Sequence, residues 1–321
     1  MRIAFFEMND WDKFQFKKVF KGHELRFYDY PLTIKSASKA KDCEIISVFI
    51  YSKISKPILD KLKNTKLIVT RSMGFDHIDL ESCKKRKILV SNAPHYGDSS
   101  VAEHAFALIL SLSRNIHKAY ERTINNNFSI QGLEGFDIKG KTLGVIGTGR
   151  IGSHVVSIAL GFNMNVLAFD VYKNQELQKK LNFKYVSLND LLKSSDIITL
   201  HVPYMPSTHH LINQESIKKI KPGCILINTS RGAVVDSKAL LYALKSKRLS
   251  ALGLDVLEGE ESLKNDKLKK YDLNYKIIHN KNVLFTPHIA FYSKEAVQNI
   301  IDSTILSIHS FLKNKPLNLI N

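Results

Sequence analysis

The chain has 321 residues, 44% of them apolar and 24% charged, which is enough for roughly two domains of ~150 residues that each bury a core. This composition excludes a disordered chain, a collagen-like fibre and a disulfide-dense miniprotein. The formal net charge is +17, but only nine of the 47 basic residues are arginines, and lysines spread along the whole length read as solvated faces, not as a nucleic-acid stripe.

In chain order, short β-branched or aromatic runs alternate with helical patterns: RIAFF at the start, EIISVFI at 44–50, KLIVTR at 66–71 and KILVS at 87–91. Residues 98–117 follow, where Asp98 can cap a helix whose middle turns are apolar nearly all round. Such a helix is buried on more than one side, either as ordinary core or as an inter-domain or subunit contact. Six further strands then come at βαβ spacing: KTLGVIG at 141–147, NVLAFD at 165–170, DIITLHV at 196–202, CILINT at 224–229, SALGLDV at 250–256 and VLFTP at 283–287. The lysine-rich stretch 258–281 reads as a long loop with a short helix at most. Past residue 291 the apolar positions 297, 300, 301, 305 and 308 predict a terminal helix that can cross back to the first domain. Strand and helix alternation of this kind predicts an α/β fold with parallel sheets.

Cys43, Cys83 and Cys224 are odd in number and show no C-x-x-C spacing, which points to reduced thiols in a cytosolic compartment. The start MRIAFFEMND lacks the apolar core of a signal peptide, and the apolar stretch 101–112 is interrupted by Glu103 and His104 and falls short of the ~20 residues of a membrane span. A soluble, cytoplasmic protein without membrane or nucleic-acid partners is expected. The 12 histidines show no H-x-x-x-H pair and no Cys/His cluster, so no metal is expected, and His209-His210 reads as an exposed loop.

Gly147-Thr148-Gly149-Arg150-Ile151-Gly152 is G-x-G-x-x-G, directly after a strand and opening a helical run. Gly147 permits a tight turn, Gly149 lets the backbone approach a pyrophosphate, Gly152 lets helix and strand pack closely, and the helix N-terminus offers unpaired N–H groups to the phosphates. Eighteen residues after Gly152 the strand NVLAFD ends in Asp170, placed to accept from adenosine ribose hydroxyls and to repel a 2′-phosphate. NAD is therefore the expected cofactor in preference to NADP, unless Lys173 turns inward.

Reduction of a 2-keto acid needs a cation for the carboxylate, a general acid at the carbonyl oxygen and a nicotinamide over the carbonyl carbon. Three consecutive strand ends carry INTSRG, LDVLEGE and TPHIAFY, which makes Arg231, Glu260 and His288 candidates for one crevice. Arg231 offers a planar fork for a carboxylate. A neighbouring Glu260 would hold the His288 proton and orient its ring.

The stretches TRSMGFDHIDL, SNAPHYGDSSVAEHAFALIL, GVIGTGRIG, HVPYMPSTHHLIN, INTSRGAVVD, GLDVLEGE and NVLFTPHIAFYS resemble the D-2-hydroxyacid dehydrogenase family over essentially the full length. The resemblance implies two doubly wound parallel-sheet domains, Rossmann- and flavodoxin-like, with a cleft between them. A discontinuous substrate domain would comprise 1–97 and 294–321, and an NAD-binding domain 98–293. It implies an Arg231–Glu260–His288 site, phosphate-facing groups at Arg150 and Ile151, His201, Val202, Pro203 and Thr208 flanking the adenosine half, and Thr229 with Asp255 near the nicotinamide, where Asp255 could anchor the carboxamide. On the substrate side it implies the backbone of Met73 and Gly74 for the carboxylate, with Tyr96 and Phe291 as walls. It also implies a homodimer or dimer of dimers paired through the apolar helix after Asp98. The long segment between Glu260 and His288 and the AFYS sequence after TPHI resemble the D-lactate branch, so pyruvate is the expected substrate. Arg71 is the one arginine near the substrate loops, too few cations for a phosphorylated substrate. Hydroxypyruvate, 2-ketoisocaproate or phenylpyruvate remain alternatives, because one or two pocket residues decide side-chain size. A dehydrogenase-like corepressor is the non-enzyme alternative, disfavoured by the absence of extra terminal segments.

Overall fold

The protein, described by a computed structural model at residues 1–260, 269 and 272–321, divides into two compact units. Unit 1 comprises Met1–Gly97 and Ser293–Asn321, and unit 2 comprises Asp98–Tyr292.

In unit 1 five parallel strands, β1 (Arg2–Phe5), β2 (Glu24–Phe27), β3 (Ile45–Val48), β4 (Leu67–Thr70) and β5 (Leu89–Ser91), lie in the order β2-β1-β3-β4-β5. β3 and β4 are buried throughout, as continuous apolar runs in a sheet covered on both faces require. One face packs Phe6, Ile46 and Ile68, and the other packs Ile3, Phe5 and Phe16 against Ile301 and Ile308 of the terminal helix Lys294–Leu312. That helix returns to the first sheet, as its spacing predicts. β2 has no counterpart in the sequence reading, because as a partly exposed edge strand its ELRF run lacks an apolar core. Arg71 is no substrate cation: it is buried at the end of β4 and donates to Ser47 Oγ (2.9 Å), Phe6 O (2.6 Å) and Glu7 O (2.9 Å), with burial lowering its pKa to about 10.

Unit 2 begins with α4 (Asp98–Ser113; α1, Asp10–Val19, α2, Lys56–Leu59, and α3, Leu80–Lys85, belong to unit 1) and α5 (Ile116–Ile124). There follow β6 (Thr142–Ile146), α6 (Arg150–Gly161), β7 (Asn165–Phe169), α7 (Gln175–Leu181), β8 (Lys184–Tyr185), α8 (Leu188–Ser194), β9 (Ile197–Leu200), α9 (Gln214–Lys219), β10 (Cys224–Asn228), α10 (Ser237–Lys245), β11 (Leu249–Leu254), α11 (Leu273–Ile278) and β12 (Val283–Phe285). The seven parallel strands run β12-β11-β10-β9-β6-β7-β8, so chain order reverses between β6 and β9. In open α/β sheets ligands bind outside the carboxyl ends of the strands at such a switch point.

α4 is core: Ala102, Ala105, Phe106, Leu108, Ile109 and Leu112 are buried in one cluster with Val145, Val155 and Ile227. Asp98 does not cap it. It lies in the first turn, where its Oδ2 accepts from Arg150 Nε at 2.5 Å. The expected helix over 98–117 is split at Asn115, whose left-handed backbone (φ 51°) ends one helix and starts the next. In the lysine-rich stretch the structure shows α11, while 261–268, 270 and 271 lie outside the described residues. Among the described residues no helix is long and apolar enough to cross a membrane.

Candidate active site and dinucleotide site

The glycine-rich turn is built by three close approaches. Gly147 has φ +92°, and a Cβ there would stand 2.6 Å from the His201 carbonyl oxygen and 2.9 Å from Val202 Cγ1. A Cβ at Gly152 would stand 2.0 Å from the Gly147 carbonyl oxygen, so helix α6 can start this close to β6 only without a side chain there. Gly149 faces open space, with nothing within 4 Å of a built Cβ, and as N-cap of α6 it leaves the first-turn N–H groups uncapped. The Ile151 side chain packs into the core, so only its backbone can face a phosphate.

β6 and β9 pair with Ile146 opposite Leu200, which brings His201 and Val202 onto the glycine turn. His201 Nε2 lies 2.8 Å from Thr199 Oγ1, and burial pushes its pKa down to about 3, so its ring is neutral. Pro203 is exposed. Thr208 closes the following loop, its hydroxyl donating to Pro203 O at 2.6 Å and accepting from Met205 N at 2.8 Å. Asp170 stands at the end of β7 and accepts from Thr148 N (2.7 Å) and Thr148 Oγ1 (3.1 Å). Thr229, after β10, is buried, and its Oγ1 has no hydrogen-bond partner among the described residues.

The catalytic candidates follow β10, β11 and β12, which are neighbours in the sheet. Asn228 shapes the first loop, donating through Nδ2 to Arg231 O (3.0 Å) and accepting from Ser230 N (3.0 Å). The Arg231 Nη1 donates to Ser230 O at 2.8 Å. A Cβ at Gly232 would stand 2.1 Å from the Leu257 carbonyl carbon, so the segment after Arg231 lies directly on the turn that carries Glu260. Glu260 accepts from Leu257 N through Oε2 (2.9 Å) and from His288 Nδ1 through Oε1 (2.6 Å). Both side chains of this pair are under one-fifth exposed, at 17% for Glu260 and 18% for His288. The Nε2 of His288 has no hydrogen-bond partner among the described residues, so it is the ring atom available for proton transfer.

Asp255, the residue implied as carboxamide anchor, follows β11. It is fully buried, its Oδ1 accepts from Thr286 Oγ1 (2.5 Å) and Ile289 N (2.9 Å), its Oδ2 accepts from Ala290 N (2.8 Å), and its backbone carbonyl accepts from His288 N (2.9 Å). It therefore fixes the loop on which His288 stands in the left-handed region, at φ 56°. His104 of α4 completes this support and was missed as a site residue in the sequence reading. Because Thr286 gives its proton to Asp255, its oxygen accepts from His104 Nε2 at 3.0 Å. Burial holds the His104 pKa below its ordinary value, against the pull of Asp255.

Phe291 stands edge-on to the His288 ring at 6.5 Å. In unit 1 the carbonyls of Met73 and Gly74 accept from Asn92 Nδ2 (2.8 Å) and Ser72 Oγ (2.6 Å), while their N–H groups donate to nothing among the described residues. Tyr96 is half-buried, with its carbonyl accepting from Asn299 at 3.1 Å. His209 is exposed as expected. His210 is not: its Nε2 meets Glu258 Oε1 at 2.9 Å, and Asp236 completes a half-buried set whose ligand-type atoms lie within 4.8 Å of one another. Sequence spacing could not show this set, because it comes from three loops.

Residues 106–290 match the model of the D-isomer specific 2-hydroxyacid dehydrogenase NAD binding domain. Over 98% of both chains the protein is 39% identical to the D-lactate dehydrogenase of Escherichia coli K12. The chain belongs to the D-isomer-specific 2-hydroxyacid dehydrogenase family. The D-lactate dehydrogenase of Aquifex aeolicus complexed with NAD and lactic acid matches this dehydrogenase with a TM-score of 0.90 and 41% identity, over 98% of this chain and 96% of that one. A D-2-hydroxyisocaproate dehydrogenase matches at 0.84 and 30% over the whole of both chains. The residues of this dehydrogenase fit NAD on two observations of their own: open space above Gly149 at an uncapped helix start, and the orphaned Thr229 hydroxyl.

Proposed function

We propose that this dehydrogenase interconverts pyruvate and D-lactate with NADH and NAD, through Arg231, Glu260 and His288. The observation that carries the reading is the 2.6 Å His288–Glu260 pair beside the Arg231 loop. When bound, the nicotinamide supplies or takes up a hydride. In the reducing direction Arg231 binds the keto acid's carboxylate through its guanidinium fork and polarises the carbonyl. His288 donates the proton on Nε2 to the carbonyl oxygen, and Glu260, bound to Nδ1–H, stabilises the imidazolium and fixes the ring. From unit 1 the free amides of Met73 and Gly74 are our candidates for the carboxylate, and Tyr96 for the substrate side chain. Around the cofactor we assign the pyrophosphate to Gly147, Gly149, Arg150, Ile151 and Gly152, the ribose to Asp170, the adenosine flank to His201, Val202, Pro203 and Thr208, and the nicotinamide end to Thr229 and Asp255. The bulk of Phe291 beside His288 favours a methyl-sized side chain such as that of pyruvate.

The test is NADH oxidation with pyruvate, hydroxypyruvate, 2-ketoisocaproate and phenylpyruvate in parallel, with chiral analysis of the product. Pyruvate reduced fastest, to D-lactate, is the expected result. A bulkier acid reduced faster would move the substrate assignment, and no turnover with any of the four would refute the reading.

The assembly we propose is a homodimer, with a dimer of dimers as the larger form, and the surface we assign to it is α5 with the segment after it. Helix α5 has no buried residue, and Ile116, Tyr120 and Ile124 are more than half exposed beside Phe128 (76%) and Ile130 (85%). An apolar patch of this kind marks a contact surface, and a second copy of the chain is the partner we assign to it. Sedimentation should show a dimer that Phe128→Glu dissociates; a monomer in the wild type refutes this. The three buried, unpaired cysteines fit a reducing cytoplasmic setting.

A further inference from the structure

Asp170 is held by more than its own strand. Thr148 N and Thr148 Oγ1 both meet its Oδ2, at 2.7 and 3.1 Å, and Tyr172 N donates to its Oδ1 at 2.9 Å. Behind Thr148 stands Tyr185 of β8, with its hydroxyl 2.7 Å from Thr148 Oγ1, and behind Tyr185 the backbone N of Asn174 at 3.2 Å. The proton positions in this chain follow from its two ends, because a backbone N–H can only donate and an ionised carboxylate can only accept. Asn174 N–H therefore donates to the Tyr185 oxygen, the Tyr185 proton goes to Thr148 Oγ1, and the Thr148 proton goes to Asp170. Every donor points the same way, and hydrogen bonds aligned head to tail polarise and strengthen one another.

We infer that Tyr185, acting through Thr148, is the positioning residue that fixes the Asp170 carboxylate and so sets the preference for NADH over NADPH. A carboxylate offers about four acceptor positions. Three are occupied here, which leaves one, on Oδ1, for a ribose hydroxyl. Thr148 is buried and the 170–174 turn is tied at both ends, so the carboxylate cannot swing aside to admit a 2′-phosphate. Without the relay, Asp170 would keep only backbone donors and could rotate away, and Lys173 is adjacent to receive a phosphate. The inference rests on the reading that the glycine turn and Asp170 hold the adenosine half of the cofactor.

The relay is tested by fluorescence titration of NADH and NADPH, and by calorimetric titration of ADP-ribose and its 2′-phosphate, on wild type, Tyr185→Phe, Thr148→Val, Thr148→Ser and Asp170→Asn. The Tyr185 ring packs edge-on to Phe183 at 5.0 Å, so loss of the hydroxyl alone leaves the packing in place, and melting temperature checks this. Tyr185→Phe and Thr148→Val should each lower the ratio of NADPH to NADH dissociation constants about fivefold, the usual effect of one net hydrogen bond, while Thr148→Ser keeps the wild-type ratio. A Tyr185→Phe ratio within twofold of wild type, with Asp170→Asn still relaxing selectivity, overturns the relay and leaves the Asp170 reading intact. An unchanged ratio in Asp170→Asn overturns both.

Discussion

Glu260→Gln isolates the charge of the His288 partner with almost no change in shape. In the native site two donors converge on the carboxylate, Leu257 N at 2.9 Å and His288 Nδ1 at 2.6 Å. Glutamine has one acceptor oxygen, so its amide group must face one of these donors. The arrangement that satisfies all groups turns the oxygen to Leu257 N–H and the NH₂ to His288 Nδ1, which then accepts and carries its one proton on Nε2. That ring is neutral, and the imidazolium needed to protonate a keto oxygen has lost its partner. A hydrogen bond to a charged group contributes about 1.5–3 kcal/mol, which corresponds to a loss of about 10- to 100-fold in kcat/KM for pyruvate reduction. The NADH dissociation constant should be unchanged, because Glu260 lies on the β11 loop and not on the glycine turn. Steady-state kinetics with the keto acid, paired with NADH fluorescence titration, reads both quantities. A variant whose kcat/KM stays within threefold of wild type would refute the assignment of Glu260 as the proton-holding partner.

Three more perturbations discriminate parts of the site. Gly149→Ala should fold with the wild-type melting temperature yet bind NADH at least tenfold more weakly, because its Cβ enters open space, whereas Gly152→Ala should lower the melting temperature itself, with its Cβ 2.0 Å from backbone; equal melting temperatures for the two would contradict this. Arg231→Lys should raise the KM for pyruvate about tenfold or more, because a point charge replaces a two-pronged donor, and unchanged kinetic constants would remove Arg231 from the substrate clamp. His201 is depressed to about 3 from 6.5, so below about pH 6.5 the unfolded chain takes up a proton that the folded chain refuses. Its stabilising contribution is complete above that pH and falls at up to ~1.4 kcal/mol per unit as the pH drops toward 3. Urea midpoints at neutral pH and near pH 5 should show that loss in the wild type and a smaller one in His201→Gln; identical losses would refute it.

The alternation of strands and helices was legible because most strands of both sheets are continuous apolar runs, which buried parallel strands require. β2 and β8 escaped because edge strands bury only part of their surface and β8 has two residues, too few for any periodicity. Arg231, Glu260 and His288 could be grouped from sequence for a topological reason. They follow strands consecutive in the chain, and the sheet places β10, β11 and β12 side by side, so loops at one edge of the sheet meet. The groups that support Asp170 and the His288 loop could not be grouped this way. Tyr185 reaches Thr148 across 37 residues and His104 reaches Thr286 across 182, and no local pattern encodes either contact.

His104 shows where the boundary lies. On a helix apolar nearly all round, two adjacent polar residues point about 100° apart, so a narrow exposed strip can take only one of Glu103 and His104. The sequence does not say which of the two that strip holds. The structure leaves Glu103 exposed beside Ser99 Oγ (3.2 Å) and turns His104 inward to Thr286. A half-buried polar side chain on a core helix needs a partner, and the partner found is the hydroxyl that closes the cage around Asp255. The apolar pattern of α4 thus fixes the helix against the sheet, and His104, which interrupts that pattern, connects the helix to the loop on which His288 stands. His104→Leu would remove the connection while filling the same space, and the reasoning requires that it slow turnover more than it lowers the melting temperature; a variant that loses stability but keeps kcat would show His104 to be core packing alone.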